Sequence, residues 1–316
     1  MKCCQSVLLA ALLCLPAGCA ASAEEARIVF EQRPGEVVIR AGVEPVATYV
    51  YNDPNILRPY FRDVFAPGAI QVTRHHPPRE GIDRMDHATM HPGLFLAFGD
   101  LGGADFWRNQ ASVEHMEFVE PPRSQTGRGG FVVRNRYVAE SRTVCEETCE
   151  YTFLIRPQGY VILWDSTFQS RGSSFSFGDQ EEMGLGVRVA TPIAVTGQTG
   201  GRIFDAEQRR GEKEIRGRTA AWCDYSGRVD ERFVGIAIMP DPGNFRSSWW
   251  HVRDYGLMVA NPFARNTLGK GEPSEVVVQP GERCRLRWAI LLHRSPTEQG
   301  VDIQEAYHDC ISLLGK

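Results

Sequence analysis

From Arg27 onward, apolar residues come in short stretches that alternate with polar ones and are cut by glycine and proline. A period of two over four to eight residues, bounded by turn residues, predicts strands. Arg27–Glu31 and Val37–Arg40 flank Pro34-Gly35 as a hairpin, followed by Val46–Tyr51. Tyr60–Phe65 and Ala69–Thr73 flank Pro67-Gly68. Leu94–Phe98 is continuously apolar, as expected of a strand covered on both faces. Val113–Phe118, Gly130–Ser141 and Thr148–Ile155 follow, and Pro157-Gln158-Gly159 turns the chain into Tyr160–Phe168. Later strands are predicted at Arg218–Trp222, Arg232–Met239, Gly256–Ala260, Glu275–Val278 and Cys284–His293. Only Val301–Leu314 repeats its apolar residues at threes and fours, which predicts one C-terminal helix with His308 and Asp309 in solvent. Many short strands without βαβ alternation predict an all-β chain folded as a large antiparallel β-sandwich.

The first residues depart from this pattern. Lys2, the apolar run Val7–Leu15 and Ala21-Ser22-Ala23 form a signal peptide over residues 1–23. Residues 24–316 are then expected to form a single domain that is exported, periplasmic or extracellular. Leu15-Pro16-Ala17-Gly18-Cys19 resembles a lipoprotein cleavage box, so a lipid anchor at Cys19 is an open alternative. No run after the leader approaches the roughly 20 apolar residues of a membrane-spanning helix. A net charge of −4 gives no basic field and argues against a nucleic-acid partner. Five cysteines remain beyond the leader, at Cys145, Cys149, Cys223, Cys284 and Cys310. Cys145 and Cys149 are too far apart on an extended strand to bridge, so buried free thiols are expected.

Candidate chemistry centres on Gln71–Trp107, a Gly/Pro-punctuated loop and strand holding His75, His76, His87 and His91. His87 and His91 are spaced like the ligands of zinc proteases, but no Glu follows His87, and Pro92 bars a helix. A divalent metal held by His87 and His91, with Asp86, Asp100 or His75 added, is one reading. Imidazoles bonding a polar ligand in a cleft is a second, and histidines that only satisfy loop carbonyls a third. Asp100 and Asp105 either cap a Gly-rich turn or contact ligand, and Trp107 offers either an aromatic platform or core filling. Further on, Glu182 and Arg188 are read as an acid/base with its electrostatic partner, or as an ion pair at a strand end. Trp222, Asp224, Asn244, Arg246, His251, Arg253 and Asn261 interleave polar groups with tryptophans, as a wet cleft with aromatic walls would. His115, on the Val113–Phe118 strand, is counted with the ligand contacts.

Taken as a set, several of these segments resemble the PmoA-like family, a bacterial group abundant in polysaccharide degraders. They include Arg58-Pro59-Tyr60, Val72-Thr73-Arg74, Asp86-His87, His91-Pro92-Gly93-Leu94, Gly99-Asp100 and Asp105-Phe106-Trp107. Glu182, Arg188, Trp222-x-Asp224-Tyr225, Asn244, His251-x-Arg253 and Asn261-Pro262 add to the resemblance, while Met90 stands where members often carry a second histidine. The family's label points to a methane oxygenase subunit, an integral membrane copper assembly, which this chain's lack of a mature transmembrane run contradicts. The resemblance implies instead a sugar-mutarotase-like supersandwich acting on a carbohydrate or small polar ligand. Three functions follow. The first is a lyase, hydrolase or epimerase with His87, His91, Glu182 and His251 catalytic, and with His75, Asp100, Trp107, His115, Arg188 and the later polar residues binding substrate. The second is a non-catalytic glycan-binding module, and the third a structural exported protein without a ligand.

Overall fold

The structure is a computed structural model and describes residues 26–197, 200–297 and 299–314. The predicted leader and Cys19 lie outside these. In chain order the strands begin with β1 (Ile28–Arg33), β2 (Glu36–Ala41), β3 (Glu44–Val50), β4 (Tyr60–Arg62), β5 (Phe65–Ala66), β6 (Ile70–Gln71) and β7 (Leu94–Phe98). Next come β8 (Ser112–Gln125), β9 (Arg128–Ala139), β10 (Arg142–Arg156), β11 (Gly159–Gln169), β12 (Phe175–Phe177) and β13 (Met183–Arg188). The last are β14 (Arg202–Asp205), β15 (Cys223–Val229), β16 (Arg232–Pro240), β17 (Trp249–Arg253), β18 (Leu257–Asn261), β19 (Val276–Val278) and β20 (Arg283–Ser295). Two α-helices, α1 (Gly211–Ile215) and α2 (Ile303–Leu314), complete the set.

Two eight-stranded antiparallel sheets dominate, which makes the chain an all-β sandwich with a short C-terminal helix. Sheet one runs β1-β2-β3-β4-β7-β13-β18-β17, and sheet two runs β14-β15-β16-β20-β11-β10-β9-β8. Alternation along each strand sends every second side chain to the interface between them. Tyr49 meets Tyr151 at 5.1 Å, Phe61 meets Trp164 at 5.6 Å, and Phe98 meets Phe168 at 5.5 Å between ring centroids. The outward faces are covered too. On sheet two, Val161, Leu163, Met239 and Leu291 pack under Ile303, Ala306, Cys310 and Leu314 of α2. On sheet one, Tyr60, Phe95, Ala97, Leu257 and Val259 form an outer cluster closed by Trp107, with Met90 and Tyr255 against it. This double coverage is why β7 has no polar position.

Most predicted strands are present within a residue or two. The differences have local causes. The predicted strand Arg218–Trp222 is not one: Trp250 donates to the Arg218 carbonyl, Gly217 donates to the Trp250 carbonyl, and the strand begins only at Cys223. β13 is a central strand whose pattern Gly184 and Gly186 conceal. At Gly184 (φ +108°) a Cβ would fall 2.2 Å from the Ala260 carbonyl oxygen, so only glycine fits between β7 and β18. All five described cysteines are buried and unpaired, as expected.

Candidate functional site

The histidine loop lies on the outward face of sheet one, fastened by two buried arginines. Arg74 donates to the carbonyls of Arg84, Asp86 and His91 at 2.8, 2.7 and 3.2 Å, so the loop is wound around its guanidinium. Arg58 donates to the carbonyls of Phe106, Trp107 and Met90, tying the loop to the Trp107 turn. His75 belongs to this fastening: its Nδ1 lies 2.8 Å from Asp83, which also accepts from Thr191 at 2.9 Å.

The loop delivers Asp86, His87 and His91 to the end of β13, where Arg188 points outward. Asp86 Oδ1 accepts from Arg188 at 2.7 Å, with Arg74 and Arg84 at 3.6 and 3.5 Å. Partial burial by itself would raise the Asp86 carboxyl. The charge and hydrogen bond of Arg188, the His87 bond and the Arg84 charge outweigh it and hold the group down at about 2. Its other oxygen lies 3.0 Å from His87 Nδ1. An ionised carboxylate can only accept, so Nδ1 carries the proton and a neutral His87 keeps its Nε2 lone pair. His87 is half-exposed and sits at φ +51°, a left-handed conformation that non-glycine residues hold chiefly where the surroundings impose it.

Behind it, His91 stacks between His87 at 5.0 Å and Phe95 at 5.8 Å, edge-on to Trp107 at 5.6 Å. Burial, then the charges of Arg188, His87, Arg58 and Arg74, push His91 well below the ordinary histidine range, so it is neutral. Its Nδ1 is buried without a hydrogen-bond partner among the described residues, as is Nη1 of Arg188. Tyr255 roofs the cluster: Arg188 lies 4.4 Å and Arg84 5.3 Å from its ring centre, and His87 stacks at 6.1 Å. Three guanidiniums, those of Arg74, Arg84 and Arg188, thus surround the Asp86 carboxylate, with the Asp83 carboxylate also close enough to act on Arg74, which leaves an excess of positive charge at this corner.

Glu182 and His251 share this face of sheet one but not this corner. Glu182 immediately precedes β13, six residues before Arg188 and about 20 Å from it along an extended strand. It pairs with Arg108 at 2.8 Å, and Arg108 also bonds Asp105. The proposed Glu182–Arg188 pairing is therefore absent. His251 lies within 2.9 Å of the Glu181 carbonyl, which accepts from its Nδ1, and burial lowers its pKa. Asn261 donates to the carbonyls of Gln180 and Glu181, and Arg253 pairs with Glu212 at 2.7 Å. Arg253 pairs in register with Leu257, and Leu257 with Arg188, so Arg253 stands two strands, about 10 Å, from Arg188. Arg246 is farther along this sheet's edge, over Phe245 and Trp249, and bonds Ser274.

The remaining candidates lie elsewhere. Asp100 caps its own turn by accepting from the Gly103 N–H. Trp107 is buried edge-on against His91 and Phe95 as core rather than as an open platform. His115, on β8 at the edge of sheet two, packs against Tyr51 and Phe118 beside a separate cavity of about 400 Å³. Trp222 and Asp224 point outward from sheet two: Trp222 bonds Gln304 of α2, and Asp224 pairs with buried His293 at 2.7 Å. Asn244 holds the Arg287 backbone from both its amide atoms. Among the described residues no three His, Cys, Asp or Glu side chains converge to hold a metal ion, and the His87 and His91 rings lie face to face instead. No local pattern in the sequence marks Tyr255 or Arg84. Arg74 carries one signal, its place just before the His75-His76 pair on the loop that it winds.

The sandwich and this cluster are the context for comparison with known proteins. The chain belongs to the family of unknown function DUF6807, whose profile matches residues 36–307. This corrects the resemblance to the PmoA-like family: the match falls to DUF6807. No curated protein matches the chain in sequence. Among solved structures it is similar to the galactosidase domain of the alpha-galactosidase-sucrose kinase AgaSK, at 9% identity and TM-score 0.45, covering 85% of this chain and 42% of that one. It is also similar to the GH36 alpha-galactosidase AgaA A355E D478A from Geobacillus stearothermophilus in complex with stachyose, at 10% identity and TM-score 0.42, covering 85% and 41%. A beta-arabinopyranosidase matches at 10% identity and TM-score 0.41, covering 78% and 38%. The chain spans less than half the length of each, and at such scores the likeness carries no argument about ligand or reaction.

Proposed function

We propose that the chain is an exported carbohydrate-active protein that takes a carboxylated, oxidised sugar at the Asp86–His87–Arg188–Tyr255 corner. His87 then serves as a general base at the carbon beside the carboxylate. One observation carries this reading: a half-exposed imidazole is held by an ionised carboxylate through Nδ1, which leaves Nε2 as its available acceptor, inside a surplus of guanidinium charge. Abstraction passes the C–H proton to His87 Nε2, and the electron pair moves into the substrate carboxylate as an enolate, which nearby arginines stabilise. Delivery of a proton from solvent water to the opposite face, with His87 releasing its own proton to solvent, gives an epimer; expulsion of a β-oxygen substituent, which leaves as the alcohol on taking a proton from water or His87, gives a lyase product. Glycoside hydrolysis has less support. It needs two carboxyl groups roughly 5–10 Å apart, one with a raised pKa. Asp86 is depressed, and the carboxyl that burial raises, Glu147, lies in the interior, bonded to Asn135 and Ser166.

The test is deuterium wash-in. Galacturonate, glucuronate and their aldonate counterparts are incubated with the protein in D₂O, and exchange at the carbon beside the carboxylate is followed by proton NMR. Exchange that disappears in His87→Asn, a residue tolerant of the left-handed backbone, supports the reading. Binding without exchange would make the protein a glycan-binding module instead, and a preference for neutral sugars would overturn the ligand assignment.

A further inference from the structure

Glu147 points from β10 into the space between the two sheets and is 3% exposed. Its partners are all neutral. Ser166 donates to Oε1 at 2.5 Å while accepting from Trp164, the Tyr137 hydroxyl lies at 3.5 Å, and the Asn135 amide lies 2.9 Å from Oε2. The ionisable groups around it are Tyr49 on β3, Tyr137 on β9, and Cys145, Cys149 and Tyr151 on its own strand, each pushed up by burial and so uncharged. Cys284 of β20, Glu146 and Asp165 act on the two thiols, and the charge of Arg58 acts on Tyr137. No cation among the described residues acts on Glu147 itself, and burial pushes its carboxyl up. A carboxylate in such a place is costly, and the group keeps its proton instead.

The next link outward fails to close. With its nitrogen toward Glu147, Asn135 leaves Oδ1 buried without a partner, and Nδ1 of His115 is likewise buried without one among the described residues. The two residues stand opposite each other on β9 and β8, which sets their Cβ atoms about 5 Å apart. One rearrangement satisfies both. A half-turn of the Asn135 amide brings Oδ1 to Glu147, where only a protonated carboxyl can donate to it, and brings Nδ2 to His115 Nδ1 as acceptor.

We infer that Glu147 carries a proton in the folded protein and that a hydrogen-bonded relay runs from its Oε2–H through Asn135 to His115 Nδ1, at the cavity of about 400 Å³ beside β8. Asp53, Arg58 and Glu114 line that cavity with His115. His115 is then neutral with its hydrogen on Nε2; burial lowers its pKa, against the Asn135 bond and the charge of Glu117. When Glu147 releases its proton to solvent, the amide turns back, and the His115 hydrogen moves from Nε2 to Nδ1 by exchange with water. The relay is a proton-linked switch: the charge state of an interior group sets whether Nε2 of a cavity-lining imidazole is donor or acceptor. It belongs to sheet two and does not rest on the proposed sugar chemistry.

The full chain is labelled with carbon-13 at glutamate carboxyls and nitrogen-15 in histidine rings. At pH 7 the infrared spectrum should show the carbonyl band of one protonated glutamate, absent in Glu147→Gln. The His115 nitrogens, assigned through His115→Gln, should show a bare Nδ1 and a protonated Nε2. Glutamine at 147 donates as the acid does, so this tautomer persists there. Because the raised group holds a proton that the unfolded chain releases, its stabilising effect is full below about pH 4.5 and is lost as pH rises. The wild-type unfolding constant in urea should therefore rise about tenfold per pH unit relative to Glu147→Gln between about pH 5 and 7. A missing carboxyl band, which needs no variant to be read, overturns the inference, as does a His115 hydrogen on Nδ1 or a stability difference that does not change with pH.

Discussion

Replacing Asp86 by Asn tests the geometry on which the candidate site depends. Asparagine keeps the shape but removes the charge that Arg188, only 1% exposed, faces at 2.7 Å. The Asp86 carboxyl is held at about 2 against an ordinary 3.8, a gap equivalent to about 2.5 kcal/mol of preference for the ionised form in the folded chain. Water reaches part of this side chain, and screening reduces the usable figure to about 1–2 kcal/mol. Because folding depresses the pKa, this stability is fully present above the unfolded value and is lost as pH falls from about 4 through about 2. The variant should therefore be less stable than wild type by at least that much near neutrality, since Arg188 also loses its partner. The difference should shrink steadily below about pH 4. Urea unfolding at fixed ionic strength, near pH 7, 4 and 3, measures it, and a cycle with Arg188→Gln isolates the pair. A variant as stable as wild type near pH 7, or a deficit that does not change with pH, would refute the reasoning.

Two other perturbations bear on the same face. His91 is buried with its pKa driven well below the ordinary value, so the unfolded chain takes up a proton that the folded chain resists; stability should fall as pH drops below about 6.5, and His91→Gln should flatten that slope in thermal melts across the range. Gly184→Ala forces a methyl against the Ala260 carbonyl at a left-handed position and should cost about 2–3 kcal/mol or more in urea unfolding, whereas Gly103→Ala, with open space around it, should lose less.

How much of this was legible beforehand depends on how local each feature is. Leu94–Phe98 declared its double coverage through its own composition, and the structure puts Leu96 and Phe98 toward sheet two and Phe95 beneath Trp107 and His91. His75, His87 and His91 share a loop because they are close along the chain. Glu182 and Arg188 are equally close, yet they end far apart, because an extended strand carries six residues over about 20 Å while a folded loop returns on itself. Tyr255 had no signal of its own; it matters only because β13 and β18 are neighbours in the sheet.

By itself, the sequence determined an all-β sandwich through its period-two pattern and turn residues, the C-terminal helix through its threes and fours, the buried thiols and a histidine-bearing loop. The allocation of residues to one ligand corner was decided only by tertiary structure. Asp224 on β15, with Trp222 just ahead of that strand, leaves the buried face just as Arg188 does on β13, but β15 joins sheet two and β13 joins sheet one, so the same pattern delivers them to opposite sides of the molecule. Alternation specifies which side chains leave a strand's buried face. Which sheet that face belongs to depends on hydrogen bonds between strands distant in sequence, and no local pattern records those.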